Sequence, residues 1–451
     1  MSVKSIASTY CPPFLRPAFD RVANSPIGYR LASGVFWSIA GAVISRGLTL
    51  AALVLVARML GKTGYGELGI IQSTVGMFGV FAGFGLGLTA TKHVAEFRQN
   101  DPERAGRLIA ISGLTATVTG GVMAAGLLIF APWLAEHTIN APHLVGVLRI
   151  SALMLFTSAL NDAQTGALSG FEAFRTIAYV NLAVGLVSFP ALVVGVYFGG
   201  LTGAVWAMAL NLCVSWLLNS LALRKEAHRH DVPFTFRNCT REMPVLWRFS
   251  LPAVLSGALV GPVGWACGAL LVNQPGGYGE MGVFSAANQL QLAILFIPGA
   301  IAQIVLPLLS NLHASDERHR YMKVVWYNVL ISGGVTIGIV LPVSLLSGLI
   351  MRTYGKGFAD GGTVLVLSAA TAVPITLTAV IGRVIASKNR MWAGLVLNAM
   401  WAACLLVSAW LLIGHGARGL ATAYLLSYVF HFINTAIYTR LFVFGGRVQT
   451  L

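Results

Sequence analysis

Charged side chains are scarce in this chain: Asp, Glu, Lys and Arg make up 10% of its 451 residues, where a soluble globular protein carries nearer a quarter. With 56% of residues hydrophobic and a mean hydropathy of +0.77, the apolar surface exceeds what one aqueous core can hide. Lipid must be the solvent for much of it. Paired cysteines are missing too. Cys11, Cys213, Cys239, Cys267 and Cys404 are scattered with no CxxC spacing, which excludes a disulfide framework and a thiolate metal centre and leaves small buried hydrophobes. No metal and no cofactor are expected. The first thirty residues hold Pro12, Pro13, Pro17, Pro26 and four basic residues but no apolar core. A cleaved signal peptide is therefore not expected, and the first helix serves as an uncleaved anchor. The net charge of +15 has no soluble basic domain to carry it, which excludes nucleic acid as a partner. Basic residues also collect on the cytoplasmic loops of inner-membrane proteins.

What the chain does have is long apolar runs. Crossing roughly 30 Å of hydrocarbon takes about 20 helical residues, and twelve runs are long enough: 34–60, 66–90, 106–130, 144–168, 177–198, 201–223, 248–272, 282–308, 323–350, 362–386, 392–413 and 418–440. In lipid the backbone must satisfy its own hydrogen bonds, and no strand-like alternation is present, so these runs are helices. The fold class is an all-α membrane protein of about twelve transmembrane helices. With the N-terminus inside, twenty-two basic residues fall on cytoplasmic segments. Only five (Arg58, Lys62, Arg352, Lys356 and Arg418) fall on the other side. Both termini are expected in the cytoplasm.

A repeat is legible. Gly64-Tyr65-Gly66-Glu67-Leu68-Gly69-Ile70 returns as Gly277-Tyr278-Gly279-Glu280-Met281-Gly282-Val283, displaced by 213 residues, and Gly200-Leu201-Thr202-Gly203 with Ala207 returns as Gly416-Ala417-Arg418-Gly419 with Ala423, displaced by 216. Two matches at nearly one offset argue for a duplicated six-helix unit. Six is even, so the halves share orientation and are related by a pseudo-twofold axis along the membrane normal. The expected organisation is a tail (1–33), an N-lobe (34–223), a cytoplasmic inter-lobe loop (224–247) acting as the joint, a C-lobe (248–440) and a second tail (441–451).

Several motifs fall away. Gly61-Lys62-Thr63 ends like a P-loop, but Val56 stands where the pattern needs glycine. Gly83-Phe84-Gly85-Leu86-Gly87 lies inside a transmembrane run, where small residues mean close helix packing. The seventh run is unusual, carrying Pro252 and Pro262 with Gly257, Gly261, Gly264 and Gly268. It is either a tightly packed kinked helix or a gating helix beside an inter-lobe cavity. A charge facing lipid at mid-bilayer costs about 2.5–3.5 kcal/mol or more, so Arg46, Arg149, Arg383 and Asp162, all within apolar runs, should face the interior. Arg46 is the deepest and serves either in a structural ion pair, for instance with Asp162, or as a cavity cation. Arg149 and Arg383 are nearer helix ends and can snorkel. Asp162 is either an arginine's partner or a proton- or sodium-sensitive coupling group. Asn181, Asn288 and Gln291 are the candidate cavity amides, among others that bond helix to helix.

From Met59-Leu60-Gly61 through Gly64-Tyr65-Gly66 to Ala82-Gly83-Phe84-Gly85-Leu86 and Thr91-Lys92-His93-Val94-Ala95-Glu96, the chain resembles the first-lobe signature of polysaccharide biosynthesis flippases. These are the Wzx-type members of the superfamily that also holds MATE exporters and lipid II flippases. The resemblance implies export of an undecaprenyl-pyrophosphate-linked oligosaccharide across a bacterial inner membrane by alternating access. The implied partners are that lipid-linked cargo, membrane lipids, and a polysaccharide polymerase with its chain-length machinery. A MATE-like drug antiporter is the alternative, but cationic drugs want acidic sites, and the intramembrane charges are three arginines against one aspartate. A membrane polymerase or glycosyltransferase needs a large outer loop or paired carboxylates. The longest outer loop, 131–143, offers only Glu136 with His137 and His143.

Reporter fusions test the topology. Those after residues 140, 275, 355 and 415 should read as extracytoplasmic, and those after 100, 235, 315 and 389 as cytoplasmic. Inversion on one side of the inter-lobe loop would overturn the parallel repeat.

Overall fold

Backbone placed in lipid has to satisfy its N–H and C=O groups internally, and this chain does so with helix. The computed structural model describes residues 26–233, 235, 239–245, 250, 254, 258–314, 318–387 and 391–444, and no β-strand occurs among them. The N-terminal lobe holds α1 (Pro26–Gly83), α2 (Leu86–Phe97), α3 (Pro102–Trp133), α4 (Val145–Gly170) and α5 (Phe174–Arg229). The C-terminal lobe holds α6 (Val260–Val272), α7 (Gly277–Ala314), α8 (Arg318–Leu345), the short α9 (Ser347–Thr353), α10 (Gly362–Ser387), α11 (Met391–Leu412) and α12 (Gly416–Tyr438). Within the lobes α1 packs on α5, α4 on α3 and α5, and α12 on α10 and α11.

Among the described residues, eight apolar helical segments are long enough to cross a membrane. Those of 55, 56 and 51 residues would each extend roughly 80 Å if straight at about 1.5 Å per residue, so each must cross twice. The reversals occur at glycines. Gly61 breaks α1 with φ 70° and ψ 176°, Gly200 breaks α5 with φ 53° and ψ −134°, and Gly416 precedes α12 with φ 62° and ψ −140°. These glycines, with Gly276 and Gly355, gather at one membrane face, called here the glycine face. The turns around Asn100 and Glu172 and the inter-lobe segment lie at the opposite, linker face. Of the expected seventh crossing, only α6 is described as continuous helix.

The repeat is visible in the backbone. Gly200 and Gly416 share almost the same left-handed conformation. A Cβ on Gly203 would sit 1.8 Å from the Gly195 carbonyl oxygen, and one on Gly419 would sit 1.9 Å from that of Leu412. The two hairpins are thus closed by the same device, a glycine where one backbone touches the other.

Two features depart from the sequence reading. The second crossing, expected to be continuous over 66–90, is broken at Phe84 (φ 43°) and Gly85 (φ 62°). The glycines there do pack closely, since a Cβ on Gly166 would sit 2.2 Å from the Gly87 carbonyl oxygen, but they also admit a kink. Across it Thr119 Oγ1 donates to Ala82 O at 2.7 Å, and Gly85 O accepts from both the Thr89 backbone N–H and its Oγ1 at 3.1 Å. The inter-lobe loop is the second departure. Helix α5 continues through Arg224 to Arg229, and the segment beyond docks on the start of α3. Glu242, buried in the 3-10 turn Cys239–Glu242, receives Arg104 at 3.1 Å and Arg107 at 3.6 Å, while Gly106 lies against the Pro233 carbonyl. This part of the loop is fixed to the N-terminal lobe rather than free between the two.

Only glycine tolerates φ near +55° with strongly negative ψ, and other residues held in such regions cost about 1–3 kcal/mol. Gly200→Ala and Gly416→Ala should therefore each lower the melting midpoint in detergent, Gly416→Ala by more because its Cβ would also press on Glu280, which caps α12. Gly199→Ala, in open space and helical backbone, should leave it unchanged.

Candidate functional site

The two copies of the Gly-Tyr-Gly-Glu motif meet. Beyond Gly61, the second arm of α1 runs beside α7 so closely that a Cβ on Gly66 would sit 1.8 Å from the Tyr278 carbonyl oxygen, and one on Gly282 would sit 2.0 Å from that of Lys62. Nothing larger than hydrogen fits at either position. The Lys62 side chain lies against Gly279 and Gly357, which leave it a notch. Its charged end helps line a basin of about 570 Å³ that also holds Glu280, Asp360, His415 and Arg418. Around this seam Tyr65 meets the rings of Tyr354 and Phe358 edge-on at 6.4 and 6.0 Å. Tyr278 Oη donates to Ile139 O and Asn273 Nδ2 to Thr138 O, both at 2.7 Å. The repeat's glutamates brace the loops: Glu67 pairs with His143 at 2.8 Å, and Glu280 accepts from Ala417 N at 2.8 Å, capping α12. The lobes are closed against each other at the glycine face.

Towards the linker face they part. On the first arm of α1, before Gly61, residues seven and four apart share one side of the helix; there Ala57 and Leu53 are buried, whereas Arg46, two turns further, is exposed. On α7 the corresponding side runs through Gly282, Ser285, Gln289, Leu292 and Phe296. Ser285 lies against Gly69, but Leu292 is 49% exposed. The guanidinium carbon of Arg46 sits 4.3 Å from the centroid of the Phe296 ring, bridging the lobes. Helix α6 rides on the second arm of α1: Trp265 Nε1 donates to Thr74 Oγ1 at 3.0 Å, Gly268 meets Ile70, and Gly261 meets Gly76, Met77 and Val80.

The predicted residues fall in different places. Arg46 stands at the mouth of the cleft, and among the described residues no carboxylate lies within 4.0 Å of it. It forms no pair with Asp162. That carboxylate occupies its own groove of about 450 Å³, lined by Gly83, Gly87, Thr165 and Ser169, with Oδ2 only 3.2 Å from where a Gly83 Cβ would be. Arg149 is exposed near the glycine-face end of α4. Arg383 is half-buried on α10, and its Nη1 has no hydrogen-bond partner. Asn181 is exposed one turn from Gly185, where α5 touches Ser45 of α1. Asn288 is half-buried on α7. Gln291 is 7% exposed and points away from the side of α7 that faces α1. Pro252 and Gly257 lie outside the described residues. Pro262 stands in the first turn of α6, where a missing N–H costs no helical bond, so it does not kink α6. Lys62 and Phe296 were not singled out by sequence reasoning. Lys62 had a signal, being one of few basic residues expected outside. Phe296 had none, as an aromatic in an apolar run.

Two helical lobes, joined at one face and parted at the other around an arginine that pairs with no described carboxylate, make the architecture of a membrane transporter. Its fold is shared by a solved multidrug resistance MATE family transporter of the MOP superfamily in an inward-facing conformation, with a TM-score of 0.75 at 15% identity, covering 88% of this chain and 94% of that one. The model of the family described as "Polysaccharide biosynthesis protein" matches residues 31–313, and the chain belongs to that family. The EPS I polysaccharide export inner membrane protein EpsE of Ralstonia nicotianae is 23% identical over 417 residues, covering 90% of this chain and 93% of that one. The lipid III flippase of Escherichia coli is 22% identical over 407 residues, covering 89% and 96%.

The seam tolerates no side chain, so Gly282→Val should wedge it open. A cysteine placed at Ser285, in a variant without the native cysteines, should then react faster with a membrane-impermeant maleimide. An unchanged rate in a normally abundant protein would contradict the seam's role as a closure.

Proposed function

We propose that this protein is a flippase that moves a polyprenyl-pyrophosphate-linked oligosaccharide across the bacterial inner membrane by alternating access, for cell-surface polysaccharide biosynthesis, and that it is not an enzyme. Membership in the polysaccharide biosynthesis family carries this reading, supported by two relatives that match about nine-tenths of the chain and are named for polysaccharide export and lipid III flipping. The linker face is then cytoplasmic, with both termini there. The 34–223 and 248–440 lobes are the moving bodies, and a polymerase with chain-length machinery receives the product.

The cleft's electrostatics favour anionic over cationic cargo. A pyrophosphate in a low-dielectric passage needs compensating positive charge. Arginine suits the task because it stays charged when buried and its planar fork matches phosphate oxygens. Arg46 meets that need at the cleft mouth, and no carboxylate among the described residues neutralises it. Arg149 and Arg383 extend the basic character towards the two faces, and Asn181 and Asn288 supply hydrogen bonds for sugar hydroxyls. Asp162, without a hydrogen-bond or ion-pair partner among the described residues, is the ion-coupling group. A cationic drug would instead call for an acidic site, and the residue at the cleft mouth is Arg46.

A strain lacking the protein should accumulate lipid-linked oligosaccharide in the inner leaflet with unaltered drug tolerance. Complementation should fail with Arg46→Ala, succeed in part with Arg46→Lys, and be weakened by Asp162→Asn, all at normal membrane abundance. Full export by stably expressed Arg46→Ala removes the cationic passage, and full export by Asp162→Asn removes the coupling role.

A further inference from the structure

The Arg46 guanidinium comes from the N-terminal lobe and the ring beneath it, Phe296, from the C-terminal lobe. Their 4.3 Å separation lies well inside the roughly 6 Å over which a cation is attracted to a ring face. No hydrogen bond or ion pair engages the Arg46 side chain among the described residues. Among the described residues, then, its charge is met by the ring quadrupole and its N–H donors are not engaged. The placement follows from the helix. Counting from Gly282 and Ser285, which meet the second arm of α1, Gln289, Leu292 and Phe296 share that side of α7, and Arg46 reaches Phe296 from the first arm.

We infer that Phe296 is a positioning residue for the cargo's phosphate groups: it holds Arg46 from the opposite lobe without competing for the donors that the phosphate takes. The inference rests on the reading of the cleft as a passage for an anionic cargo. Its physical basis is a difference in strength. A carboxylate at position 296 would bind the guanidinium through charge-assisted, often bidentate hydrogen bonds, the same kind a phosphate offers, and would have to be displaced at each cycle. An aliphatic side chain would leave the long arginine to sample many rotamers, and ordering them would weaken phosphate binding. An aromatic face lies between these. Its attraction is weak enough to yield or to coexist, and sufficient to fix where the charge waits. Phe296 thus sets specificity for anionic over neutral lipids, and lets the cleft keep a permanent charge without a permanent counterion.

The test uses purified full-length protein in detergent, with farnesyl pyrophosphate as the anionic probe and farnesol as its neutral counterpart. Phe296→Leu, which keeps apolar bulk but lacks the ring face, should raise the Kd for farnesyl pyrophosphate about three- to tenfold, the scale of one cation–π contact, and leave farnesol binding unchanged. Phe296→Trp should restore the wild-type Kd. Phe296→Glu should abolish pyrophosphate binding by pairing with Arg46. Wild-type affinity in Phe296→Leu overturns the inference, as does an equal loss for farnesol, which would mark a packing role. Arg46→Ala separates the two levels of the argument. If it abolishes pyrophosphate binding while Phe296→Leu does nothing, the passage stands and the positioning role falls. If Arg46→Ala binds normally, both fall.

Discussion

Backbone contact between the two halves at Gly66 and Gly282 is the constraint on which the rest of the arrangement depends. Lipid tails are as apolar as leucine, so no hydrophobic force drives the lobes together across the membrane, and close packing with a few polar contacts must serve instead. Glycine allows it by letting α1 and α7 touch main chain to main chain. Once that distance is set, Lys62 can lie in the notch at Gly279 and Gly357, Tyr65 can reach Tyr354 and Phe358, and Tyr278 can reach Ile139. All these contacts sit at one end of the lobes. A joint of this kind is tight but narrow, and it involves little more than van der Waals contact and a few hydrogen bonds. Further towards the linker face Arg46 on the first arm of α1 and Leu292 on α7 are exposed, which is geometry suited to rocking about the membrane's middle.

The two sides of that cleft are chemically unlike the lobe interiors. Inside the N-terminal lobe the amides are spent on helix-to-helix bonds: Asn219 donates to Asn161 Oδ1 at 3.0 Å, Asn161 to Leu212 O at 3.0 Å, and Gln164 lies 2.7 Å from Ser220 Oγ. These amides hold α4 to α5, as the sequence reading allowed for part of the intramembrane amides. The polarity left for a ligand is smaller and more pointed, with one arginine at the mouth of the cleft, amides on α5 and α7 near it, and a carboxylate in a separate groove.

Much of the architecture was legible in the chain because lipid imposes simple rules. Apolar runs of spanning length, the twofold recurrence of Gly-Tyr-Gly-Glu, and the Gly200 and Gly416 turns each follow from one local requirement. The features that escaped depend on distant neighbours or on residues with two meanings. Gly83 to Gly87 reads equally as a packing face and as a kink, and only α4 on one side and Thr119 on the other decide that it is both. The docking of the inter-lobe segment needs Glu242 to find Arg104 and Arg107, more than a hundred residues earlier in the chain. A pairing of Arg46 with Asp162 was a fair inference from lone opposite charges, but depth along a helix says nothing about azimuth, and the two occupy different grooves.

Duplication explains why the seam lies where it does. A repeated unit related by a twofold axis presents the same patch twice, so a motif that lies near the axis meets its own copy. The Gly-Tyr-Gly-Glu copies do so, but not identically. Gly66 contacts Tyr278 and Gly282, whereas Gly279, its counterpart, contacts the Lys62 side chain. The glutamates have diverged further, one bracing a histidine and the other a helix N-terminus. Asymmetry at the axis has a mechanical consequence. A perfectly symmetric seam would part equally on both sides, while this one concentrates its charged groups (Lys62, Glu280, Asp360, Arg418) in a basin on the C-terminal side. Lys62 is the only member contributed by the other lobe. Opening the glycine face therefore has to withdraw one lysine from a site that holds two carboxylates, so the electrostatic part of the barrier is focused on a single side chain at the membrane surface, where water can take over its solvation as it leaves.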